Sequence, residues 1–181
     1  MNYHNILHDD MRNGSGLRVV LFVSGCNNQC DGCHNPQTWD INSGIEFDVS
    51  AKTEILNELK YPYISGLTIS GGDPLHPENI SIVYDLCKEI KTKFSDKTIW
   101  IYTGYTFEQV YVPDGAVITD DFNKTRDIRN NLLHLIDVLV DGKFVKWLAD
   151  VNYPYAGSTN QRVIDVQKTL KSEKIILYGQ E

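Results

Sequence analysis

The sequence predicts an α/β fold built mainly of parallel strands, on three observations. Short apolar runs rich in β-branched and aromatic residues recur along the chain, at Leu17–Val23 and at residues 66–70, 98–103 and 137–140. Segments with helical spacing lie between them, at 50–59, 77–93 and 126–135. Each of the four runs delivers the chain into an unusual turn, and all four turns carry glycine. Strand, loop and helix in repetition imply right-handed crossovers. In such folds the chemistry gathers beyond the C-terminal ends of the strands.

The chain has 181 residues, 41% hydrophobic and 23% charged, which is enough for one core without disulfide staples. A net charge of -7 argues against a nucleic-acid binder resting on a broad basic surface. The opening residues show neither the basic nor the apolar region of a signal peptide, and no run approaches a membrane span. The expected compartment is the cytoplasm, where thiols stay reduced.

In chain order, residues 1–16 are polar and end in the turn signal N-G-S-G. Leu17–Val23, L-R-V-V-L-F-V, reads as a buried strand. Residues 37–47 read as loop, and 50–59 as a helix that Asp48 or Ser50 would cap. The strand at 66–70 ends in Gly71-Gly72-Asp73-Pro74. The helix at 77–93 has Pro77 in its first turn and places Ile80, Val83, Leu86, Cys87 and Ile90 on one face. Cys87 belongs to that stripe and reads as a small core residue. The strand at 98–103 ends at Gly104-Tyr105, with a short helix at 106–110 and a short strand at 116–119. After the helix at 126–135, the strand at 137–140 runs into Asp141-Gly142-Lys143-Phe144, and 162–166 forms a last strand. The segment 167–181, basic and then apolar at 175–178, receives no element.

The first strand feeds the loop S-G-C-N-N-Q-C-D-G-C-H-N-P, which holds Cys26, Cys30 and Cys33 within eight residues. Three thiolates so close converge on a soft metal centre. Their spacing also matches one face of a helix, but the intervening glycine and asparagine residues disfavour a buried helix there. Two metal readings follow. Structural zinc needs a fourth ligand, and His34 is adjacent, with His4, His8 and His76 elsewhere. An iron–sulfur cluster held by three cysteines keeps one iron open to a further ligand. Gly71 and Gly72 would let backbone approach such a ligand closely, and an ordinary tight turn is the alternative.

The loop C-x-x-x-C-x-x-C after the first strand, followed by S-G-G-D-P, resembles the radical S-adenosylmethionine enzymes. The blocks L-F-V-S-G-C, S-G-G-D-P-L-H-P, I-W-I-Y-T-G-Y, L-I-D-V-L-V-D-G-K-F and G-S-T-N-Q-R-V-I-D resemble the activases of anaerobic ribonucleoside-triphosphate reductases. The resemblance implies an incomplete α/β barrel with mainly parallel strands, spanning 1–181 as one domain with 167–181 as a C-terminal extension. It implies that Cys26, Cys30 and Cys33 hold a 4Fe-4S cluster whose open iron chelates S-adenosylmethionine. One electron, from flavodoxin or a similar donor, would cleave that cofactor, and the resulting radical would take a hydrogen from a glycine of the reductase large subunit. The cofactors carry this chemistry, so no acid–base residue is implied.

Gly32, Cys33 and His34 match the segment that lines the adenosyl site in the family, and Gly71 and Gly72 match the glycine pair at the methionine amino group. Asp73 would orient that turn or stand as a carboxylate at a helix N-terminus. Tyr102, Gly104 and Tyr105, with Asp141, Gly142 and Lys143, are further candidates for the pocket, against packing or a solvated turn. The family commonly has an aromatic residue where this chain has His34. The alternatives are an activase of a formate-lyase-type enzyme and a zinc-stabilised binding module using Cys26, Cys30, Cys33 and His34.

Overall fold

A computed structural model of the chain describes residues 1–111, 123–172 and 174–179. The strands are β1 (Asn2–Asp10), β2 (Leu17–Val23), β3 (Ile45–Glu46), β4 (Ile64–Gly71), β5 (Thr98–Tyr102), β6 (Val138–Asp141) and β7 (Arg162–Asp165). They form one open sheet in the order β3-β1-β2-β4-β5-β6-β7. The centre is parallel, β2 to β4 to β5 to β6. The expectation of mainly parallel strands holds for those four alone, because β1, β3 and β7 pair antiparallel. β1 leads into β2 through the 11–16 turn, and β3 and β7 are reached through loops rather than α-helical crossovers, since an antiparallel partner needs no crossover.

Residues 1–16, expected to be a polar lead-in, contain β1. Its sequence N-Y-H-N-I-L-H-D-D buries only Ile6 and Asp10, so it lacks the apolar signature of the central strands. Residues 37–47, expected to be loop, contain the two-residue β3 and the end of a 3-10 turn, Pro36–Thr38.

The helices are α1 (Val49–Glu58), α2 (Ile80–Lys93), α3 (Phe107–Val110), α4 (Asn123–Leu133) and α5 (Val166–Ser172). Asp48 caps α1, its carboxylate accepting from the Ala51 amide at 2.9 Å. A reciprocal pair, Thr106 and Gln109, caps α3. Helix α2 buries Ile80, Val83, Leu86, Cys87 and Ile90 against the sheet. That stripe contributes roughly 10 kcal/mol of apolar burial as an upper estimate. The helix starts at Ile80 and not at residue 77, because the chain first makes turns that bond His76 to Asp73 and Asn79 to His76. The short strand expected at 116–119 lies outside the described residues. The last segment is docked: Thr169 of α5 is buried, and Leu177 bridges to Ile164 on β7.

Strand alternation gives the sheet two different faces. Val19, Leu21, Val23, Leu67, Ile69, Ile99, Ile101 and Leu139 join the helices in the main core. On β2, β4 and β5 the intervening positions include Arg18, Thr68, Trp100 and Tyr102. Trp100, Val138 and Val140 form a second, smaller cluster, in which the Tyr155 and Tyr178 rings meet Trp100 edge-on at 5.1 and 4.9 Å. Arg18 is fully buried there with its guanidinium 5.3 Å from the Trp100 ring centroid. Its five N–H groups reach Thr68, Ser15, Leu67 and Thr98, all neutral acceptors. Burial pushes its pKa down to about 10. Thr68 passes its own hydroxyl to the Asn13 carbonyl at 2.6 Å, so the 11–16 segment is strapped to this second face.

Candidate functional site

The cysteine loop leaves β2 at Val23 and is held open by its own exit strap. Gly25 donates its amide to the Thr38 carbonyl at 2.7 Å, and Cys26 donates to Trp39 at 2.9 Å. Gly25, Gln29 and Gly32 all have positive φ, and no helix forms between residues 24 and 35. The helical-face reading of the three cysteines is therefore wrong. Backbone turns, not a core stripe, set their spacing. All three are half-buried, while Cys87 is fully buried in the main core. Burial pushes the Cys26 thiol above its usual pKa. It pushes Cys87 up to about 12, so that thiol stays neutral and inert.

The glycine pair at the end of β4 is packed directly against the start of this loop. Gly72 donates to the Val23 carbonyl and Asp73 to the Gly25 carbonyl, both at 2.7 Å. A Cβ on Gly71 would stand 2.7 Å from the Val23 oxygen, and one on Gly72 would stand 2.6 Å from the Gly25 oxygen. Gly71 also has φ +102°, where side chains are strained. Two backbones meet here with no room for a side chain, which an isolated tight turn would not require.

Asp73 is 2% exposed beneath the turn. Its carboxylate accepts from the Leu75 amide at 2.9 Å, the Thr103 hydroxyl at 2.8 Å, the Gly104 amide at 3.1 Å and the Asn28 side chain at 3.4 Å. Burial outweighs these donors and raises its pKa. Asn79, the residue before α2, donates to the Ser24 and Asp73 carbonyls at 2.7 and 3.1 Å. Asp73 thus orients the turn, and it stands seven residues ahead of α2 rather than at its N-terminus.

Above this knot lies a cavity of about 190 Å³ at the C-terminal ends of β2, β4, β5 and β6. Cys26, Cys30, Cys33 and His34 line one side, and Gly71 and Gly72 line another. Tyr102, Gly104, Gly142 and Lys143 also line it, as the sequence suggested. Asp73 and Gly32 do not. Gly32 faces the Lys146 and Phe144 side chains, which a Cβ there would meet at 3.3 and 3.4 Å. Tyr105 packs under the Arg129 guanidinium at 5.0 Å, and Asp141 is buried against Arg162 and the Phe107 amide.

Sequence reasoning missed Asn28, Thr103, Phe144, Gly157 and Gln161 as lining residues. Gln161 bonds Gly157 at 3.0 Å and Gly142 at 2.9 Å, joining the two turns of that wall. Its signal was present in G-S-T-N-Q-R, but which wall it serves depends on β6 and β7 pairing. A larger hollow of about 540 Å³ between α3 and α5 is lined by Phe107, Tyr111, Leu170 and Ile175 and carries neither thiol nor glycine turn.

The donor set fits an iron–sulfur cluster better than a single ion. Three soft thiols line one cavity together with the Gly71–Gly72 backbone. A tetrahedral zinc needs its ligands converged on one point. Among the described residues no three His, Cys, Asp or Glu side chains are arranged to hold a metal ion in that way. The cysteines of a cluster bind separate irons and stand farther apart. The His34 ring instead packs on Phe144, 5.3 Å between centroids and tilted by 45°.

Comparison with known proteins agrees with this chemistry. Residues 12–164 match the 4Fe-4S single cluster domain family. The chain is 42% identical over 163 residues to the anaerobic ribonucleoside-triphosphate reductase-activating protein of Vibrio cholerae, covering 89% of this chain and 96% of that one. It is 39% identical over 165 residues to the protein of that name from Escherichia coli K12, covering 90% and 97%. A third, from Enterobacteria phage T4, is 39% identical over 164 residues, covering 90% and 93%.

Proposed function

Because the chain belongs to the 4Fe-4S single cluster domain family and to the anaerobic ribonucleoside-triphosphate reductase-activating proteins, we propose that it activates such a reductase by generating a glycyl radical on its large subunit. The observation that carries this reading is the shared cavity: all three loop cysteines and the Gly71–Gly72 turn line it, at the ends of parallel strands.

Cys26, Cys30 and Cys33 would hold the 4Fe-4S cluster, and S-adenosylmethionine would occupy the cavity that they share with Gly71 and Gly72. When bound, the cluster and S-adenosylmethionine would supply one-electron radical chemistry able to take a hydrogen atom from a glycine of the reductase. The chain's own residues bind and orient. The Gly71 and Gly72 backbone would receive the methionine amino group, and Cys33 and His34 would line the adenosyl side, with Gly32 behind them against Phe144 and Lys146. Asp73 holds the turn in place from below. Phe144 and Tyr102 also line the cavity. The electron comes from flavodoxin or a similar donor. We read residues 1–181 as one domain, its open sheet as an incomplete α/β barrel of the radical S-adenosylmethionine type, and its compartment as the cytoplasm. Among the described residues no helix is long and apolar enough to cross a membrane.

The test is anaerobic reconstitution with iron and sulfide, followed by mixing with S-adenosylmethionine, reductant and an anaerobic reductase. A glycyl-radical resonance on the reductase, with one methionine formed per radical, is expected. A colourless chain that retains one zinc and cleaves no S-adenosylmethionine would overturn the proposal.

A further inference from the structure

Asn28 stands between two sulfur- and oxygen-centred acceptors at the heart of the site. Its side-chain nitrogen lies 3.7 Å from Cys26 Sγ and 3.4 Å from Asp73 Oδ2. An amide nitrogen carries two hydrogens, one for each acceptor. The amide has one consistent orientation, since turning its oxygen toward a carboxylate and a sulfur would set acceptor against acceptor.

Asp73 cannot follow if Asn28 moves, because Thr103, Leu75 and Gly104 hold the carboxylate independently. The amide is also housed by residue 104: a Cβ there would stand 2.0 Å from the Asn28 nitrogen. Asn28, Asp73 and Gly104 therefore join the loop after β2, the turn after β4 and the turn after β5. None of this is needed to make the turns, since Gly72 and Asp73 already bond the loop through backbone.

We propose that Asn28 is a positioning residue for the cluster, setting its reduction potential by donating a hydrogen bond to the Cys26 sulfur while anchored on Asp73. The inference rests on the reading of Cys26, Cys30 and Cys33 as cluster ligands. Hydrogen bonds to ligating sulfurs withdraw electron density and stabilise the reduced, more negative cluster. The need is local, because the buried Asp73 carboxylate lies close behind Cys26 and opposes added negative charge. The amide interposes a donor between the two.

The test is a redox titration of the reconstituted full chain, followed by electron paramagnetic resonance and compared with Asn28→Leu, which keeps bulk and removes the donor. At equal iron content, the variant should show a reduced-to-oxidised ratio about tenfold lower at a fixed poise, a midpoint about 59 mV more negative for a one-electron couple. Gly104→Ala keeps Asn28 but displaces its amide, so it should shift the midpoint the same way. The double variant should shift it no further. An Asn28→Leu midpoint equal to wild type at full iron content overturns the inference. If Asn28→Leu holds no cluster, the Gly104→Ala midpoint decides, and an unmoved value overturns it. A wild-type chain that takes up no cluster overturns the proposed function and this inference with it. An unmoved midpoint in a chain that still activates its partner overturns this inference alone.

Discussion

The Thr103 hydroxyl donates to the buried Asp73 carboxylate at 2.8 Å, and this bond ties the end of β5 to the turn after β4. It places the Tyr102–Gly104 segment and the glycine pair on one cavity wall.

Asp73 gives the stability of the fold a defined pH signature. Burial raises its pKa above the ordinary 3.8, so folding favours the protonated acid. Its contribution is full below the unfolded value and is lost as pH rises through the raised folded value. Asp73→Asn carries no such titration. The wild-type advantage over Asp73→Asn should therefore shrink as pH rises from about 4 toward neutrality. Urea unfolding of both proteins across that series measures it, and a difference that grows with pH would contradict the assignment.

Glu108 has the opposite sign. Arg162 grips its carboxylate through two bonds of 2.9 and 2.8 Å and holds its pKa down to about 2, from 4.5. The stabilisation is present above the unfolded value and disappears as pH falls through about 2. The Glu108 side chain is 59% exposed, so solvent screening limits the effect to about 1 kcal/mol. Glu108→Gln should be less stable by that amount at neutral pH, should converge with wild type between pH 4.5 and 2, and should lose its deficit in high salt.

The four cysteines should divide cleanly. Cys26→Ala, Cys30→Ala and Cys33→Ala should each abolish stoichiometric iron uptake with little change in thermal stability of the cluster-free chain. Cys87→Ala should retain full iron content and lose about 1 kcal/mol, since it opens a small void in the α2 core. Iron and sulfide analysis with a parallel melting curve separates the two classes.

Gly72→Ala should act through backbone contact. Its Cβ would press on the Gly25 carbonyl at 2.6 Å, pushing the end of β4 off the cysteine loop. A loss of about 1–3 kcal/mol is expected, together with weaker S-adenosylmethionine binding by calorimetry on the reconstituted chain. Unchanged affinity in a folded variant would remove the glycine pair from the binding wall.

The legible parts of the fold were those with a local physical cause. β2, β4, β5 and β6 announce themselves by apolar runs because both their faces are buried. Helix α2 announces itself by an unbroken apolar stripe. β1 is hidden because it pairs between β2 and a two-residue edge strand, with seven of its nine residues partly or fully exposed. Helix α2 starts later than its stripe suggests because residues 73–79 make their own backbone turns, which the Asn79 side chain pins to the Ser24 carbonyl fifty-five residues back.

By itself the sequence determined the donor chemistry: three thiols spaced by turn formers, glycines at strand ends, and parallel crossovers that bring those ends together. Residue type and short-range spacing are local properties, and a reader of the chain has them in full. The tertiary structure alone decided which polar side chains turn inward and whom they serve. Arg18 bonds Thr68 and Thr98, fifty and eighty residues on. Asn28 meets Asp73 across forty-five residues. A hydrogen bond is made over about 3 Å of space whatever the separation along the chain, and only the sheet register brings those groups within reach.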